Sequence, residues 1–193
     1  MSQDEDPHEF RNRRFTSYFE GWLRLRDERR ALVEARIPPD IGMSAVPFIP
    51  TSFETARKML EVAETGPNDV VYDLGCGDGR FLILAVKIFA VKKAVGYEIR
   101  REVYAKAVHE VEAQSLGEKI FLVNGDLFGA DLSEATVITL YLTYEANRRL
   151  KPKLEREVKP GTRIVSHDFE IPEWRPAKRE WFSGDTIYLY AIP

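Results

Sequence analysis

The sequence predicts an α/β fold, a doubly wound and mostly parallel sheet with helices on both faces and an antiparallel strand at its C-terminal end. Three observations carry this expectation. From Asp69 onward, short apolar runs enriched in valine, isoleucine and aromatic residues recur: DVVYDL, KAVGYEI, KIFLVNG, ATVITLYL and TRIVSHDF. Segments of helical length separate them, and strand–helix alternation marks parallel strands whose crossovers cover both faces of a sheet. The last run, TIYLYAI, follows a polar, proline-bearing loop (EIPEWRPAKREW) and reads as an antiparallel partner.

Ahead of the sheet, residues 1–14 pass from acidic to basic with little apolar content, the pattern of a solvated terminus. Phe15, Tyr18, Phe19, Trp22, Leu23, Leu32 and Val33 then recur at helical spacing, predicting an amphipathic helix that stops before Pro38-Pro39. Its apolar face needs a partner, which is its own domain, a second copy of the chain, or a substrate as it closes over it. Residues 1–45 are therefore an extension, and 46–193 the main domain. Residues 38–50 hold four prolines and form an extended connector. Thr51 and Glu54 have the spacing of a capping box, with a helix to about Ala63.

At 193 residues, with 44% hydrophobic content, the chain can bury one good core and not two. A net charge of -3 argues against a wholesale nucleic-acid binder. Its only cysteine, Cys76, rules out an internal disulfide. Neither an export leader nor an apolar run of membrane-spanning length is present, so the expectation is a soluble, cytoplasmic protein without a membrane partner. His8 and His109 lack metal-ligand spacing, and no metal site is expected.

The informative motif is Val71-Tyr72-Asp73-Leu74-Gly75-Cys76-Gly77-Asp78-Gly79-Arg80, which ends a strand and opens a helix. Alternating glycines at such a turn permit tight dihedrals and close ligand approach, and the amides at the helix start favour an anionic or carboxylate group. Nicotinamide enzymes space their glycines as G-x-G-x-x-G, whereas here the pattern is G-x-G-x-G preceded by Asp73. A carboxylate there disfavours a diphosphate but suits an ammonium, such as that of S-adenosylmethionine. Glu98 ends the next run, where a carboxylate can accept hydrogen bonds from both hydroxyls of a ribose.

From Val46 to Pro193 the chain resembles the class I, seven-β-strand, Rossmann-like methyltransferases that use S-adenosylmethionine. The resemblance implies that Asp73, Gly75, Cys76 and Gly77 meet the amino-acid part of the cofactor and Glu98 its ribose. It implies that Asp126 and Leu127 lie at the adenine; the alternative reading of Asp126 is an ordinary N-G-D turn. Val46-Pro47-Phe48-Ile49-Pro50-Thr51, the glycine motif and the stretch Tyr141–Glu155 (Y-L…N-x-x-L-x-P-K-L-E) together resemble the archaeal and mitochondrial protein lysine methyltransferases. That implies a lysine ε-amine acceptor, with Phe48 and Thr51 as cofactor contacts and Tyr141 orienting the amine. Purely structural roles are core packing for Tyr141 and simple capping for Thr51.

Methyl transfer from a sulfonium is an in-line displacement, so alignment and exclusion of water suffice without an obvious base. An aromatic slot built from Tyr141, Leu142 and Tyr144 would lower the pKa of a buried ammonium and yield the neutral amine. The chain lacks the N/D-P-P-Y/F motif of adenine amino-methylation, and Cys76 lies in the cofactor loop, away from any pyrimidine. RNA is a weaker candidate acceptor: Arg148, Arg149, Lys151, Lys153 and Arg156 are basic, but Glu155 and Glu157 interleave them. The residues are also compatible with a small-molecule acceptor, or with a cofactor-binding interaction module that catalyses nothing. His167 and Asp168, as neighbours on a strand, are expected to point to opposite faces. Trp174 and Trp181 either pack or close over substrate.

Overall fold

The structure, a computed structural model, describes residues 49–193. The N-terminal tail, the expected amphipathic helix and Phe48 lie outside the described residues. Seven strands form one sheet in the order β3-β2-β1-β4-β5-β7-β6. They are β1 (Val70–Leu74), β2 (Lys93–Glu98), β3 (Ile120–Asn124), β4 (Val137–Leu140), β5 (Arg163–His167), β6 (Lys178–Phe182) and β7 (Asp185–Ala191). The first five are parallel, and β7 runs antiparallel between β5 and β6. Four described helices, α1 (Phe53–Val62), α2 (Arg80–Lys87), α3 (Arg101–Ala113) and α4 (Tyr144–Glu157), complete the fold.

The central strands are apolar because helices cover them; β4 is buried at all four positions. Val71, Ala94, Val137, Val165 and Ile187, one from each of five strands, pack with Met59 and Leu60 of α1 and Phe81 and Leu82 of α2. Chain order reverses between β1 and β4, and at such a reversal the crossovers diverge and leave a crevice beyond the carboxyl ends of the strands.

Two local expectations are corrected. Ser52, and not Thr51, is the N-cap of α1: its hydroxyl oxygen accepts from the Thr55 amide at 3.0 Å. Thr51 stands one residue outside the helix, which leaves its hydroxyl for another partner. The loop after β5 also hides a strand, β6, which pairs with β7. Its sequence, KREWF, has no apolar alternation because it is an edge strand. The signal that identifies it is Ser183-Gly184, both at positive φ (53° and 93°), which is hairpin-turn geometry.

Candidate active site

The glycine motif folds as a strand-to-helix turn at the crevice. Gly75, Gly77 and Gly79 all take the left-handed conformation, with φ of 94°, 57° and 83°, which side chains with a Cβ adopt only at a cost. The amides of Gly75 and Cys76 both donate to the Tyr97 carbonyl at 2.9 Å, tying the loop to β2. This close approach needs Gly96 on β2. A Cβ there would lie 2.5 Å from Leu82 Cδ1 and 2.7 Å from Cys76 Sγ. Cys76 is buried, and burial pushes its thiol pKa well up, so it packs and is not poised to react.

Asp73 sits beneath the loop at 3% exposure. Its strand-register partner on β4 is Thr139, whose hydroxyl donates to Asp73 Oδ1 at 2.7 Å. Asp73 Oδ2 is buried and has no hydrogen-bond partner among the described residues. Burial, with Asp78 and Glu98 nearby, raises its pKa from 3.8 to about 7, against the lowering effect of Thr139. An unsatisfied carboxylate oxygen in a buried position is costly unless something donates to it. A ligand ammonium would do so, and this is the fit the sequence predicts for S-adenosylmethionine.

Glu98 ends β2 at 2% exposure. Its Oε2 accepts from the Gly77 amide at 3.1 Å, and its Oε1 from the Arg100 amide at 2.8 Å and from Arg100 Nε at 3.1 Å. Glu98 therefore also braces the glycine loop, a role that its place in the sequence does not reveal. Asp126 follows β3 and is exposed. Its Oδ1 accepts from the Phe128 amide at 3.0 Å and caps the short turn Leu127–Gly129, in which Leu127 is buried. The turn chemistry and a place beside Glu98 coexist, because the Gly125 amide donates to the Glu98 carbonyl at 3.1 Å.

Across the crevice, Tyr141 and Leu142 follow β4. Leu142 overhangs the loop, 3.2 Å from where a Gly75 Cβ would stand. Tyr141 is half-buried and stacks on His167, with ring centroids 3.9 Å apart and planes at 26°. Thr51 is buried, and its Oγ1 lies 3.1 Å from His167 Nδ1. The Thr51 carbonyl accepts from Arg80 Nη1, and Arg80 is ion-paired with Asp78 of the glycine motif. The structure thus links Thr51 to both the cofactor loop and the Tyr141 wall.

His167 corrects a further expectation. Asp168 takes a left-handed conformation (φ 59°), so the strand breaks there and the two neighbours do not diverge. Asp168 Oδ2 lies 3.6 Å and Asp185 Oδ2 3.3 Å from His167 Nε2. Neither contact has hydrogen-bond geometry. His167, Asp168 and Asp185 place one ligand atom each within 4.8 Å, a spacing a cation accepts. Asp185 Oδ2, however, already accepts from the Thr55 hydroxyl at 2.8 Å.

Asn147, the asparagine of the N-x-x-L-x-P-K-L-E stretch, has a role that the sequence did not reveal. It is fully buried on α4 and donates to the Phe169 and Glu170 carbonyls at 3.0 and 3.2 Å, holding the loop after β5. Trp174 packs against Tyr190 and donates to Glu155 at 3.1 Å, whereas Trp181 is 73% exposed on β6.

The chain is similar to several known proteins. The model of the ANTKMT methyltransferase domain matches residues 73–178. A protein-lysine N-methyltransferase from Saccharolobus islandicus is 48% identical over 151 residues, 76% of this chain and 94% of that protein. The adenine nucleotide translocase lysine N-methyltransferase of Mus musculus is 26% identical over 76% of this chain and 63% of its own length. Among solved structures, one described as an RNA methyltransferase from Salinibacter ruber in complex with S-adenosyl-L-homocysteine is 41% identical. It aligns with a TM-score of 0.73 over 75% of this chain and 94% of that one.

Proposed function

This chain belongs to the ANTKMT methyltransferase-domain family, and from that membership we propose that it transfers methyl groups from S-adenosylmethionine to the ε-amine of protein lysines. The observation that carries the reading is the buried Asp73 Oδ2 beneath a glycine loop, without a hydrogen-bond partner among the described residues, in a chain 48% identical to a protein-lysine N-methyltransferase. Bound in the crevice, S-adenosylmethionine supplies an electrophilic methyl group. Asp73 receives the ligand ammonium. Gly75 and Gly77 allow the backbone to approach, Glu98 holds the ribose, and Asp126 with Leu127 flanks the adenine. Thr51 covers the methionine end.

Tyr141, at the end of the strand beside Asp73, orients the acceptor amine, and its half-buried ring with Leu142 disfavours the charged ammonium. No dedicated base is then needed: alignment supplies most of the rate. The lone buried thiol suits a reducing compartment, and we place the reaction in the cytoplasm.

The Salinibacter ruber likeness favours RNA as a second reading. Against it, the basic face of α4 is largely neutralised. Arg148 pairs with Glu145, Lys151 with Glu155 and Glu173, and Lys153 and Arg156 with Glu157. Arg149 lies over the Phe128 ring. Such a face offers few unpaired cations to a phosphate backbone. To separate the readings, tritium-labelled methyl transfer is measured in parallel into total protein and total RNA. Label that resists nuclease and yields to protease supports a protein acceptor; label that yields only to nuclease rejects it.

A further inference from the structure

The polar cluster beneath Tyr141 carries one further assignment, which rests on the proposed role of Tyr141. His167 is 1% exposed at the end of β5, and three neighbours converge on its ring. Tyr141 stacks on its face at 3.9 Å, Thr51 Oγ1 lies 3.1 Å from Nδ1, and Asp185 Oδ2 faces Nε2 at 3.3 Å, with Asp168 beyond it. Asp185 is itself 1% exposed and anchored by Thr55. Thr51 Oγ1 and His167 Nδ1 share one hydrogen bond, whose donor follows the tautomer of the ring. Packing alone would require neither polar contact.

We propose that His167 is a positioning residue for methyl transfer, held in place by Asp185, fixing the Tyr141 ring by stacking and Thr51 by a hydrogen bond. Thr51 continues the chain of contacts through its carbonyl to Arg80, and Arg80 to Asp78 in the glycine loop. One contiguous set of contacts, through side chains and the Thr51 carbonyl, therefore joins the cofactor loop to the acceptor wall, although Asp78 and Tyr141 belong to different crossovers. A displacement reaction that depends on the alignment of three atoms is sensitive to any loosening of that wall. His167 itself touches neither the methyl group nor the amine.

The test is a double-mutant cycle on kcat with His167→Gln, which keeps a polar side chain but removes the ring, and Tyr141→Leu, which removes its stacking partner. His167→Gln is expected to lower kcat by about 100-fold and to weaken S-adenosylhomocysteine, read by calorimetry, by a much smaller factor, through the loosened Thr51. The double variant should be no slower than Tyr141→Leu alone, because the two residues act as one unit. His167→Phe, which restores a ring against Tyr141, should recover part of the lost kcat.

Additive effects in the cycle would overturn the proposal, as would loss of cofactor binding in step with loss of kcat. Activity abolished by a chelator and restored by zinc or manganese would also overturn it, by giving the cluster to a cation. If His167→Gln does not fold, Asp185→Asn, which keeps the side-chain shape and weakens the anchor on the far side of the ring, carries the same cycle. The cycle is read on whichever acceptor the wild-type protein labels. Failure to methylate lysine thus rejects the proposed function while the cycle still decides the role of His167.

Discussion

Asp73 concentrates the chemistry of the site in one carboxyl group. Its pKa of about 7 lies above the ordinary 3.8, so the folded protein favours its protonated form. This group's contribution to stability is therefore complete below about pH 4 and is lost as the pH rises through 7. A ligand ammonium reverses the preference by favouring the carboxylate. Affinity for S-adenosylhomocysteine should accordingly strengthen as the pH is raised from about 6 to about 7.5, with a proton released on binding near pH ~6.5. Calorimetry in buffers of different ionisation enthalpy measures both. Methylthioadenosine, which lacks the amino-acid part, should show neither effect. Asp73→Asn should weaken S-adenosylhomocysteine by about 10- to 100-fold, the worth of a charge-assisted hydrogen bond of ~1.5–3 kcal/mol. Tyr141→Phe should lower kcat more than it changes cofactor affinity, and equal losses in both would remove its assignment to the amine. Asp73 was singled out in the sequence by the glycine motif that follows it and Glu98 by its place at the end of the next apolar run, and the structure buries both and joins Glu98 to the Gly77 amide. Thr139 was not, because the register of β4 against β1 makes it the partner of Asp73, and register is a tertiary fact.

At the scale of elements, the cofactor turn depends on a glycine outside its own motif. Gly96 on β2 lets Cys76 and Leu82 press against the strand, and Gly96→Ala would force atoms to within 2.5 Å. Overpacking of that kind costs about 1–3 kcal/mol, so thermal unfolding should show a lowered Tm together with weaker cofactor binding. An unchanged Tm would mean that the turn relaxes freely. The start of α1 separates two hydroxyls that look alike in the sequence. Ser52→Ala should destabilise the protein by about 1 kcal/mol as a lost cap, whereas Thr51→Val should spare the helix and slow turnover. Denaturant titration beside an activity assay distinguishes them. β1, β2, β4 and β5 were readable because burial on both faces leaves continuous apolar runs, and the edge strand β3 because its IFLV run is apolar although Phe121 and Val123 are exposed. β6 was not, because an edge strand buries one face at most, and its KREWF sequence carries the polarity of a loop. The cap was displaced by one residue for a similar reason: Thr51 and Ser52 both suit the position, and the contact of Thr51 with His167, 116 residues away in sequence, separates their roles.

For the whole molecule, sheet order decides where the chemistry occurs. The reversal between β1 and β4 puts Asp73 and Tyr141 on adjacent strand ends, and β7 brings Asp185 under β5 to support the acceptor side. Among the described residues, no helix is long and apolar enough to cross a membrane. With its α4 cations paired to glutamates, the protein should show no steep loss of RNA affinity between low and moderate salt in filter binding. A log–log slope corresponding to several phosphate contacts would instead favour the RNA reading. Lysine methylation is tested most directly by amino-acid analysis of protein labelled with tritiated S-adenosylmethionine, with the Asp73→Asn variant as the control. The label should elute as methylated lysine and fall sharply in the control; label in arginine, histidine or a nucleic-acid fraction, with none in lysine, would contradict the assignment.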